Sequence, residues 1–348
     1  MSPTPALRVA HHQRLPHEGQ ISIERAFETV RAHLPDDIVV EVDLAPARSK
    51  GILPRVRTLL AARRVQADVH HVTGDTTFQA LLLPKRRTIV TLHDFEFLDR
   101  KGPLRRFLFR LLWVQLPVLR ASVVTADSPA TADDARRWLW IRPRDLRVMP
   151  MPLPDGFEDV PSATTLQPPY ILLVGTTPNK RVEVSAEALS GLGVTARVIG
   201  RLTPAQRRDF ERFGVQVVDG PVDDEALSAA YAEAALLLFP SSREGFGLPV
   251  IEAQRLGCPV VCSNRPPLPW VAGDGGAVLV DPDDVGSVRE AVRRALDDAD
   301  LRTRLVGAGR ANVQRFDADI VAGSFASLYA EVAVRARRDR TDVAASRA

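Results

Sequence analysis

Residues 239–262 read FPSSREGFGLPVIEAQRLGCPVVC and predict a strand, a loop, a helix and a second strand in succession. The apolar run 235–239 has the length and character of a strand that is buried on both faces. Beyond the loop, Pro249 suits the first residue of a helix and Gly257 suits its end. The apolar run 258–262 then predicts the next strand. A strand–helix–strand unit of this kind indicates an α/β fold with a parallel sheet.

Two carboxylates lie in this unit, Glu244 in the loop and Glu252 in the first part of the predicted helix, eight positions apart. A glycine-containing loop lets main-chain N–H groups approach a ligand closely, and the N-terminus of a helix attracts anions. The carboxylates themselves repel phosphate, but they accept hydrogen bonds from hydroxyls. The pattern therefore suits a ligand in which hydroxyls flank a phosphate, as in a sugar or a ribose.

The unit resembles the E-x7-E motif of retaining nucleotide-sugar glycosyltransferases with the GT-B fold, in particular glycosyltransferase family 4. The resemblance extends over PSSREGFGLPVIEA at 240–253, GCPVV at 257–261 and GDGGAVLVDP at 273–282. It implies an α/β fold of two doubly wound, Rossmann-like domains that face each other across a cleft. It also implies a hexosyltransferase that uses a nucleoside-diphosphate sugar as donor and needs no cofactor and no metal ion.

The resemblance further implies how the donor is bound. Glu252 would hold the ribose hydroxyls and Glu244 the hexose hydroxyls, while main-chain N–H groups near Gly247 and Leu248 would bind the diphosphate. Lys180 would help them, because a cation beside the departing diphosphate stabilises the developing charge. The implied donor-binding residues are Gly19, Gly175, Lys180, Arg181, Arg201, Val222, Glu244, Gly245, Phe246, Gly247, Leu248, Pro249 and Glu252.

Three residues are implied to be catalytic, namely His93, Lys180 and Glu244. His93 ends a predicted strand, at the carboxyl edge where open α/β sheets bind ligands. Structural alternatives stay open for several of these residues. A lone histidine also suits a structural position, Lys180 and Arg181 also suit an exposed turn, and Val222 also suits a simple turn before a helix.

Two positions depart from the family pattern. Thr176 stands where many relatives have an arginine after the glycine, and Trp270 stands where relatives often have a glutamate. Residues 191–196 read GLGVTA and match the G-x-G-x-x-A spacing of a dinucleotide-binding loop. They precede a predicted strand instead of following one, so we interpret them as a turn, and NAD binding loses its only support in the sequence.

The alternation of strand-like and helix-like runs predicts two domains, 1–165 and 166–335, and a basic, disordered tail at 336–348. The proline-rich stretch 150–169 is the predicted linker. Strands are expected at 7–10, 38–42, 69–72, 87–92, 122–126, 170–174, 196–200 and 215–218. Helices are expected at 22–32, 104–119, 131–139, 223–234, 284–297 and 317–335, and another from about residue 183.

Residues 101–150 carry ten basic and four acidic side chains, and this segment includes an amphipathic helix. We expect its apolar face to pack against the sheet; that face comprises Leu104, Phe107, Leu108, Leu111 and Val114. The opposite face would present Arg105, Arg106, Arg110 and Trp113. An arginine face with a tryptophan is typical of contact with an anionic membrane. An ordinary surface helix is the alternative.

Composition excludes several classes of protein. With 45% hydrophobic and 26% charged residues, the chain is typical of a globular protein. Its two cysteines, Cys258 and Cys262, suit neither a disulfide framework nor a zinc site. The N-terminus lacks the pattern of a signal peptide, and the apolar run 111–119 is too short to span a membrane. The expected location is the cytoplasm, with peripheral attachment to the inner face of the cell membrane as a further hypothesis; no nucleic-acid-binding module is recognised.

The sequence therefore predicts a retaining transferase that moves a hexose, mannose-like or other, to a glycan or a lipid-linked saccharide. Assembly of a cell-surface polysaccharide is the expected context. Two alternatives are a non-catalytic protein that binds sugar nucleotides and another GT-B activity such as sugar-nucleotide epimerisation. The sequence does not fix the donor base, the hexose or the acceptor hydroxyl, because these depend on hydrogen bonds that the motif does not specify.

Overall fold

The computed structural model describes residues 6–15, 22–49, 51–95, 98, 102–157 and 169–345, with side chains described as far as residue 338. The chain forms two compact units. The first unit comprises Met1–Pro152 and Ala318–Ala348, and the second unit comprises Leu153–Asp317. The predicted linker lies partly outside the described residues, because 158–168 are not described.

The first unit contains a parallel sheet of six strands in the order β2-β1-β3-β4-β5-β6. Its strands are β1 (Leu7–Gln13), β2 (Ile38–Leu44), β3 (Val69–Val72), β4 (Thr88–Leu92), β5 (Val123–Ala126) and β6 (Leu146–Val148). The connecting helices are α1 (Ser22–Ala32), α2 (Ile52–Ala62), α3 (Pro103–Phe109), α4 (Leu116–Leu119) and α5 (Pro129–Trp138). The strand order reverses between β1 and β3, so this is a doubly wound sheet.

The second unit repeats the architecture, with a parallel sheet in the order β12-β11-β10-β7-β8-β9. Its strands are β7 (Tyr170–Val174), β8 (Thr195–Ile199), β9 (Val217–Gly220), β10 (Leu236–Phe239), β11 (Val260–Ser263) and β12 (Val278–Val280). Its helices are α6 (Val182–Leu189), α7 (Pro204–Arg212), α8 (Asp224–Glu233), α9 (Leu248–Arg255), α10 (Leu268–Ala272), α11 (Val285–Asp297) and α12 (Ala299–Val313). The strand order reverses between β7 and β10. The prediction of an α/β fold with two doubly wound sheets is therefore confirmed.

The last helix, α13 (Ala318–Ala345), corrects the predicted domain boundaries. It belongs to the first unit and not to a domain at 166–335. Its fully buried Tyr329 explains why, since the hydroxyl lies 2.8 Å from His11 Nε2 and 2.9 Å from His71 Nδ1 on strands of the first sheet. The helix also continues to Ala345, whereas a disordered tail was expected from residue 336.

The expected orientation of the amphipathic helix is also wrong. Leu104, Phe107 and Leu108 of α3 are 72%, 50% and 43% exposed instead of facing the sheet, while Val114 is buried. Between α3 and α4, residues Arg110–Gln115 form a π-helix. Because a π-turn holds one residue more than an α-turn, it changes which side chains share a face. The sequence periodicity of an uninterrupted α-helix therefore does not apply here.

Three of the four residues predicted to face a membrane make contacts within the first unit. Arg106 Nε donates to the carbonyl oxygen of Leu98 at 3.1 Å. Arg110 donates to a main-chain carbonyl, and its Cζ lies 4.2 Å from the ring centre of Trp140. Trp113 stacks on Phe109, with 4.6 Å between the ring centres, and belongs to the packed side of the segment. Arg105 is exposed. Within the described residues, no helix is both long enough and apolar enough to cross a bilayer.

Candidate active site

The candidate site lies in the second unit, where the strand order reverses between β7 and β10. In doubly wound sheets, ligands bind beyond the carboxyl ends of the strands at this reversal, because the two loops there diverge and leave a crevice. The loop 175–181 follows β7, and the loop 240–247 follows β10. The predicted motif residues of both loops are therefore carried to one edge of one sheet.

Asn179 joins the two loops, and the sequence interpretation missed this residue. Its carbonyl oxygen accepts from Ser242 N at 2.8 Å and from Ser241 Oγ at 2.9 Å. Its side-chain Nδ2 donates to the carbonyl oxygen of Arg243 at 2.9 Å. These bonds fix the relative position of the loops. The pattern P-N-K at 178–180 gives no hint of them, because they connect residues more than sixty positions apart.

Lys180 and Glu244, predicted from the motif, lie side by side. Lys180 Nζ donates to Glu244 Oε1 at 2.5 Å, and both side chains are largely buried. The ammonium group also lies 4.3 Å from the ring centre of Phe239, which adds a cation–π contact. The pair places a cation and a carboxylate, which accepts hydrogen bonds from hydroxyls, side by side in the crevice between the loops. A phosphate can therefore meet the cation while sugar hydroxyls meet the carboxylate.

The two loops require glycine at Gly175 and Gly247. Gly175 has φ +88°, and a Cβ there would lie 2.9 Å from Cε of Lys180. Gly247 has φ +107°, and a Cβ there would lie 2.5 Å from Cδ2 of Leu268. A side chain at Gly175 would therefore displace the side chain of Lys180, and one at Gly247 would displace Leu268 at the start of α10.

Glu252 lies on α9 and is 8% exposed. Tyr231, on α8, donates its hydroxyl to Glu252 Oε2 at 2.7 Å, and this tyrosine is fully buried. Burial, followed by the charge of Glu252, raises the pKa of Tyr231 above its ordinary value, so the hydroxyl stays protonated. The sequence interpretation missed this residue, since nothing in the run 224–233 distinguishes a supporting tyrosine from a core one.

The N-terminus of α9 begins at Leu248, with Pro249 in the second position, close to the prediction. Phe246 is buried behind the loop, with its ring centre 6.2 Å from that of Trp270 and 5.6 Å from that of Phe316. Gly245 is partly exposed beside it. Trp270, which departs from the family pattern, therefore forms part of the aromatic layer that supports the glycine loop.

The remaining predicted donor residues have surroundings that differ from those of the Lys180–Glu244 pair. Arg181 adopts a left-handed conformation with φ 53° and pairs with Asp283 and Glu183, so it is turned toward these carboxylates. Arg201 is exposed after β8, and Val222 is partly exposed before α8. Gly19 lies outside the described residues.

His93, predicted to be catalytic, lies in the first unit at the end of β4. Its Nε2 donates to the carbonyl oxygen of Thr73 at 2.8 Å, and its Nδ1 lies 3.2 Å from Oδ2 of the buried Asp127. Asp127 in turn accepts from Thr131 Oγ1 at 2.7 Å. Burial of the ring opposes its charged form, yet the hydrogen bond and charge of Asp127 outweigh this and raise the pKa of His93.

No group of three or more His, Cys, Asp or Glu side chains could hold a metal ion in the part of the chain that the structure describes. Cys258 and Cys262 are free and buried. Burial raises the pKa of each thiol to about 12. Both cysteines therefore behave as apolar core residues rather than as ligands or nucleophiles.

Two family models match the chain. The model described as Glycosyltransferase Family 4 matches residues 13–154, and the one described as Glycosyl transferases group 1 matches residues 212–312. The first match lies mostly in the first unit, and the second lies within the second unit. Each of the two sheets is thus matched in part, and the second match begins after β7, β8 and the loop that carries Lys180.

Curated relatives carry transferase names. O-antigen chain mannosyltransferase B of Escherichia coli is 43% identical over 97 residues, which cover 28% of this chain and 25% of that protein. MMP alpha-(1->4)-mannosyltransferase of Mycolicibacterium hassiacum is 25% identical over 357 residues, covering 92% of this chain and 87% of that protein. The chain thus spans a quarter of the length of the first relative and most of the second.

Among solved structures, Anabaena Alr3699/HepE in complex with UDP and glucose superposes with a TM-score of 0.73 at 18% identity. The superposition covers 93% of this chain and 100% of that one, and it shows a shared fold. The prediction of a glycosyltransferase is confirmed by the two family models, and the mannosyltransferase names agree with a hexosyltransferase. Through these two models the chain resembles the glycosyltransferases of family 4 and those of group 1, and it shares the GT-B fold of its solved neighbours.

Proposed function

We propose that the protein transfers a hexose, mannose or a similar sugar, from a nucleoside-diphosphate donor to a glycan or lipid-linked saccharide. The observation that carries this proposal is the Lys180–Glu244 pair at the strand reversal of the second sheet. Glu252, held by Tyr231, lies on the helix that begins at the same loop. The names of the mannosyltransferase relatives support mannose as the first sugar to test.

In the proposed binding mode, Glu252 accepts hydrogen bonds from the ribose hydroxyls and Glu244 accepts them from the hexose. Lys180 and the main-chain N–H groups at Gly247 and Leu248 bind the diphosphate. The surroundings of the two carboxylates differ, because Glu244 pairs with an ammonium group and Glu252 accepts from a phenol. This difference is consistent with distinct roles. The complex of Alr3699/HepE with UDP and glucose supports a nucleoside diphosphate as the leaving group.

The proposed reaction retains the configuration at the anomeric carbon. The bond between this carbon and the diphosphate oxygen breaks, and the acceptor hydroxyl attacks from the same face. The departing phosphate oxygen takes the proton of that hydroxyl, so the products are a glycoside and a nucleoside diphosphate. Lys180 stabilises the charge on the departing group, and therefore no metal ion is required. The catalytic role expected of His93 stays a prediction.

The decisive experiment incubates the purified protein with GDP-mannose, UDP-glucose and other nucleotide sugars, with and without glycan acceptors. Mass spectrometry then identifies a glycoside and a free sugar, and proton NMR distinguishes an isomerised sugar nucleotide from unchanged donor and reports the anomeric configuration. We expect a glycoside with retained anomeric configuration. Binding without any turnover across the panel would favour a non-catalytic protein, and an isomerised donor would favour an epimerase.

A lipid-linked acceptor is supported by the surface of α3. We define the α3 surface as Leu104, Arg105, Phe107 and Leu108, which are all exposed. Exposed apolar side chains beside a cation suit the interface of an anionic membrane, where each basic residue contributes about 1 kcal/mol. The apolar side chains, and not the predicted arginine face, are thus proposed to hold the protein on the inner face of the cell membrane.

Liposome sedimentation tests the α3 surface. Wild type should sediment with anionic vesicles at low salt, and the variant Leu104→Ser/Phe107→Ser/Leu108→Ser should remain in the supernatant. A matched control is Val218→Ser, which removes an exposed valine from the second unit. If the triple variant sediments as wild type does, the α3 surface does not bind membranes, and a soluble acceptor is favoured.

A further inference from the structure

Helix α2 of the first unit has apolar side chains on its outer side. Ile52, Leu53, Val56 and Leu60 are 81%, 62%, 41% and 46% exposed. We define these four residues as the α2 stripe. At 3.6 residues per turn they lie within an arc of about 100° on the helix surface. Contiguous exposed apolar side chains, unlike single ones, mark a surface that binds a partner.

The rest of α2 packs on the first unit. Thr58 and Ala62 are buried on the side away from the stripe. Arg55 lies over the rings of Trp113 and Phe109, with 4.4 Å and 5.6 Å between Cζ and the ring centres. In a surface helix of a globular protein, the apolar stripe normally faces the core. The apolar side of α2 faces outward instead, so it contributes little to the packing of the first unit.

The chain around the α2 stripe is basic. Residues 44–67 contain six lysines and arginines and no aspartate or glutamate. Arg57, Arg63 and Arg64 are exposed, and within the described residues none of the three forms an ion pair with a carboxylate. This charge attracts an anionic surface. It disfavours a symmetric contact between two copies of the chain, because in such a contact the same basic segments would meet.

We propose that α2 is an interfacial helix that inserts the α2 stripe into an anionic membrane. The apolar side chains would enter the boundary between headgroups and acyl chains, while the exposed arginines would contact lipid phosphates. Arg55 joins α2 to the segment directly after α3, so the α2 stripe and the α3 surface belong to neighbouring elements. The inference rests on the proposed function in sharing its membrane, and it adds a second contact that different residues make.

A fluorescent label on α2 tests insertion directly. Both native cysteines are buried, so an environment-sensitive thiol label reacts at the introduced site in the Leu53→Cys variant. With phosphatidylglycerol vesicles, we expect its emission to shift to shorter wavelength and to resist a water-soluble quencher. Phosphatidylcholine vesicles should leave the emission unchanged. The matched control is Val39→Cys, because Val39 is 53% exposed on β2 of the same unit.

Vesicle sedimentation measures how much the α2 stripe contributes. Ile52→Ser/Leu53→Ser should lower the partition coefficient into phosphatidylglycerol vesicles about tenfold or more, because two large apolar side chains lose their place in the lipid. The matched control is Ile320→Ser/Val334→Ser, which removes two exposed apolar side chains from α13 of the same unit. This control should sediment as wild type does. Circular dichroism and thermal melting verify that both variants are folded.

Three results would overturn the proposal. In the first, the label of Leu53→Cys shifts no more than that of Val39→Cys; in the second, the two double serine variants partition equally. In the third, wild type forms an oligomer that Ile52→Ser/Leu53→Ser dissociates, so that the α2 stripe joins copies of the chain. None of these measurements needs a donor or a transfer reaction. The triple serine variant tests the α3 surface separately, so either contact can fail while the other stands.

Discussion

Replacing Tyr231 with phenylalanine tests how the site holds its ribose-binding carboxylate. The substitution removes only the hydroxyl that donates to Glu252 Oε2 at 2.7 Å. Both side chains are inaccessible to most solvent, since Tyr231 is fully buried and Glu252 is 8% exposed. Water therefore cannot readily replace the lost donor, and Glu252 must either turn away or leave one oxygen less well bonded.

The expected effect has two parts. A hydrogen bond to a charged group contributes about 1.5–3 kcal/mol, so the free energy of unfolding should fall by that amount. Donor binding should weaken less, because the ribose only has to restore the orientation of one side chain, which costs about 0.5–1.5 kcal/mol. The donor dissociation constant should consequently rise about two- to tenfold. The turnover number should change little, since Glu252 contacts no reacting atom in the proposed mode.

Calorimetry measures the affinity for the nucleoside diphosphate, and urea denaturation measures the free energy of unfolding, so the two effects are determined separately. Tyr170→Phe is the matched control, because Tyr170 donates its hydroxyl to the carbonyl oxygen of Ala230 at 2.7 Å in the same unit. That bond joins neutral groups and contributes about 0.5–1.5 kcal/mol to stability. We expect this control to destabilise the protein modestly and to leave donor affinity unchanged.

A double-mutant cycle shows whether Tyr231 acts through Glu252. In a Glu252→Gln background, Tyr231→Phe should weaken donor binding much less than it does in wild type, because residues in contact are not additive. The reasoning is refuted if Tyr231→Phe binds the donor as wild type does, or if Tyr170→Phe weakens binding equally. Equal losses in both backgrounds would show that the tyrosine acts on the fold and not on the carboxylate.

Three further predictions concern chemistry and pH. Glu244→Ala should lower the turnover number more than donor affinity, because its contact with the hexose should strengthen as positive charge develops on the sugar; steady-state kinetics would contradict this with an unchanged turnover number. Activity should survive EDTA, and a loss that manganese or magnesium reverses would favour a metal-dependent transferase. Burial, followed by the charges of His93 and His12, lowers the pKa of His71 to about 3, against 6.5 ordinarily. The part of the free energy of unfolding that depends on a neutral His71 is therefore fully present above pH 6.5. It decreases as the pH drops toward 3, by at most about 1.4 kcal/mol per pH unit. Urea denaturation should show that the free energy of unfolding differs less between pH 7.5 and pH 5 in His71→Gln than in wild type. The same difference in both proteins would contradict this prediction.

The motif predicted its own local structure closely. Strand β10, helix α9 and strand β11 begin and end within about two residues of the expected bounds, because glycine, proline and apolar runs act locally. The motif order also identified Lys180 and Glu244, which the fold brings together across 64 positions. The resemblance to a family covers both loops, so it predicts that their residues share one site. Residue spacing alone does not predict this pairing.

Elements without a strong local pattern were missed. Strand β6 has three residues, and α12 has two glycines that lower its helical propensity, so neither was predicted. The assignment of α13 to the first unit depends on where Tyr329 finds its partners, and these are strand histidines more than 250 positions away. A contact of that range leaves no trace in a single sequence.

The residues that support the site share this property. Asn179 and Tyr231 each contact a motif residue or its loop from a distant element, and neither belongs to the motif. Trp270 was recognised in the sequence as a departure from the family pattern, but the sequence did not show which side chains this tryptophan contacts. In the structure its ring lies against Phe246 and under the guanidinium of Arg315, with Cζ 4.8 Å from the ring centre. Phe246 and Trp270 thus form an aromatic layer behind the glycine loop, and this packing supports the N-terminus of α9.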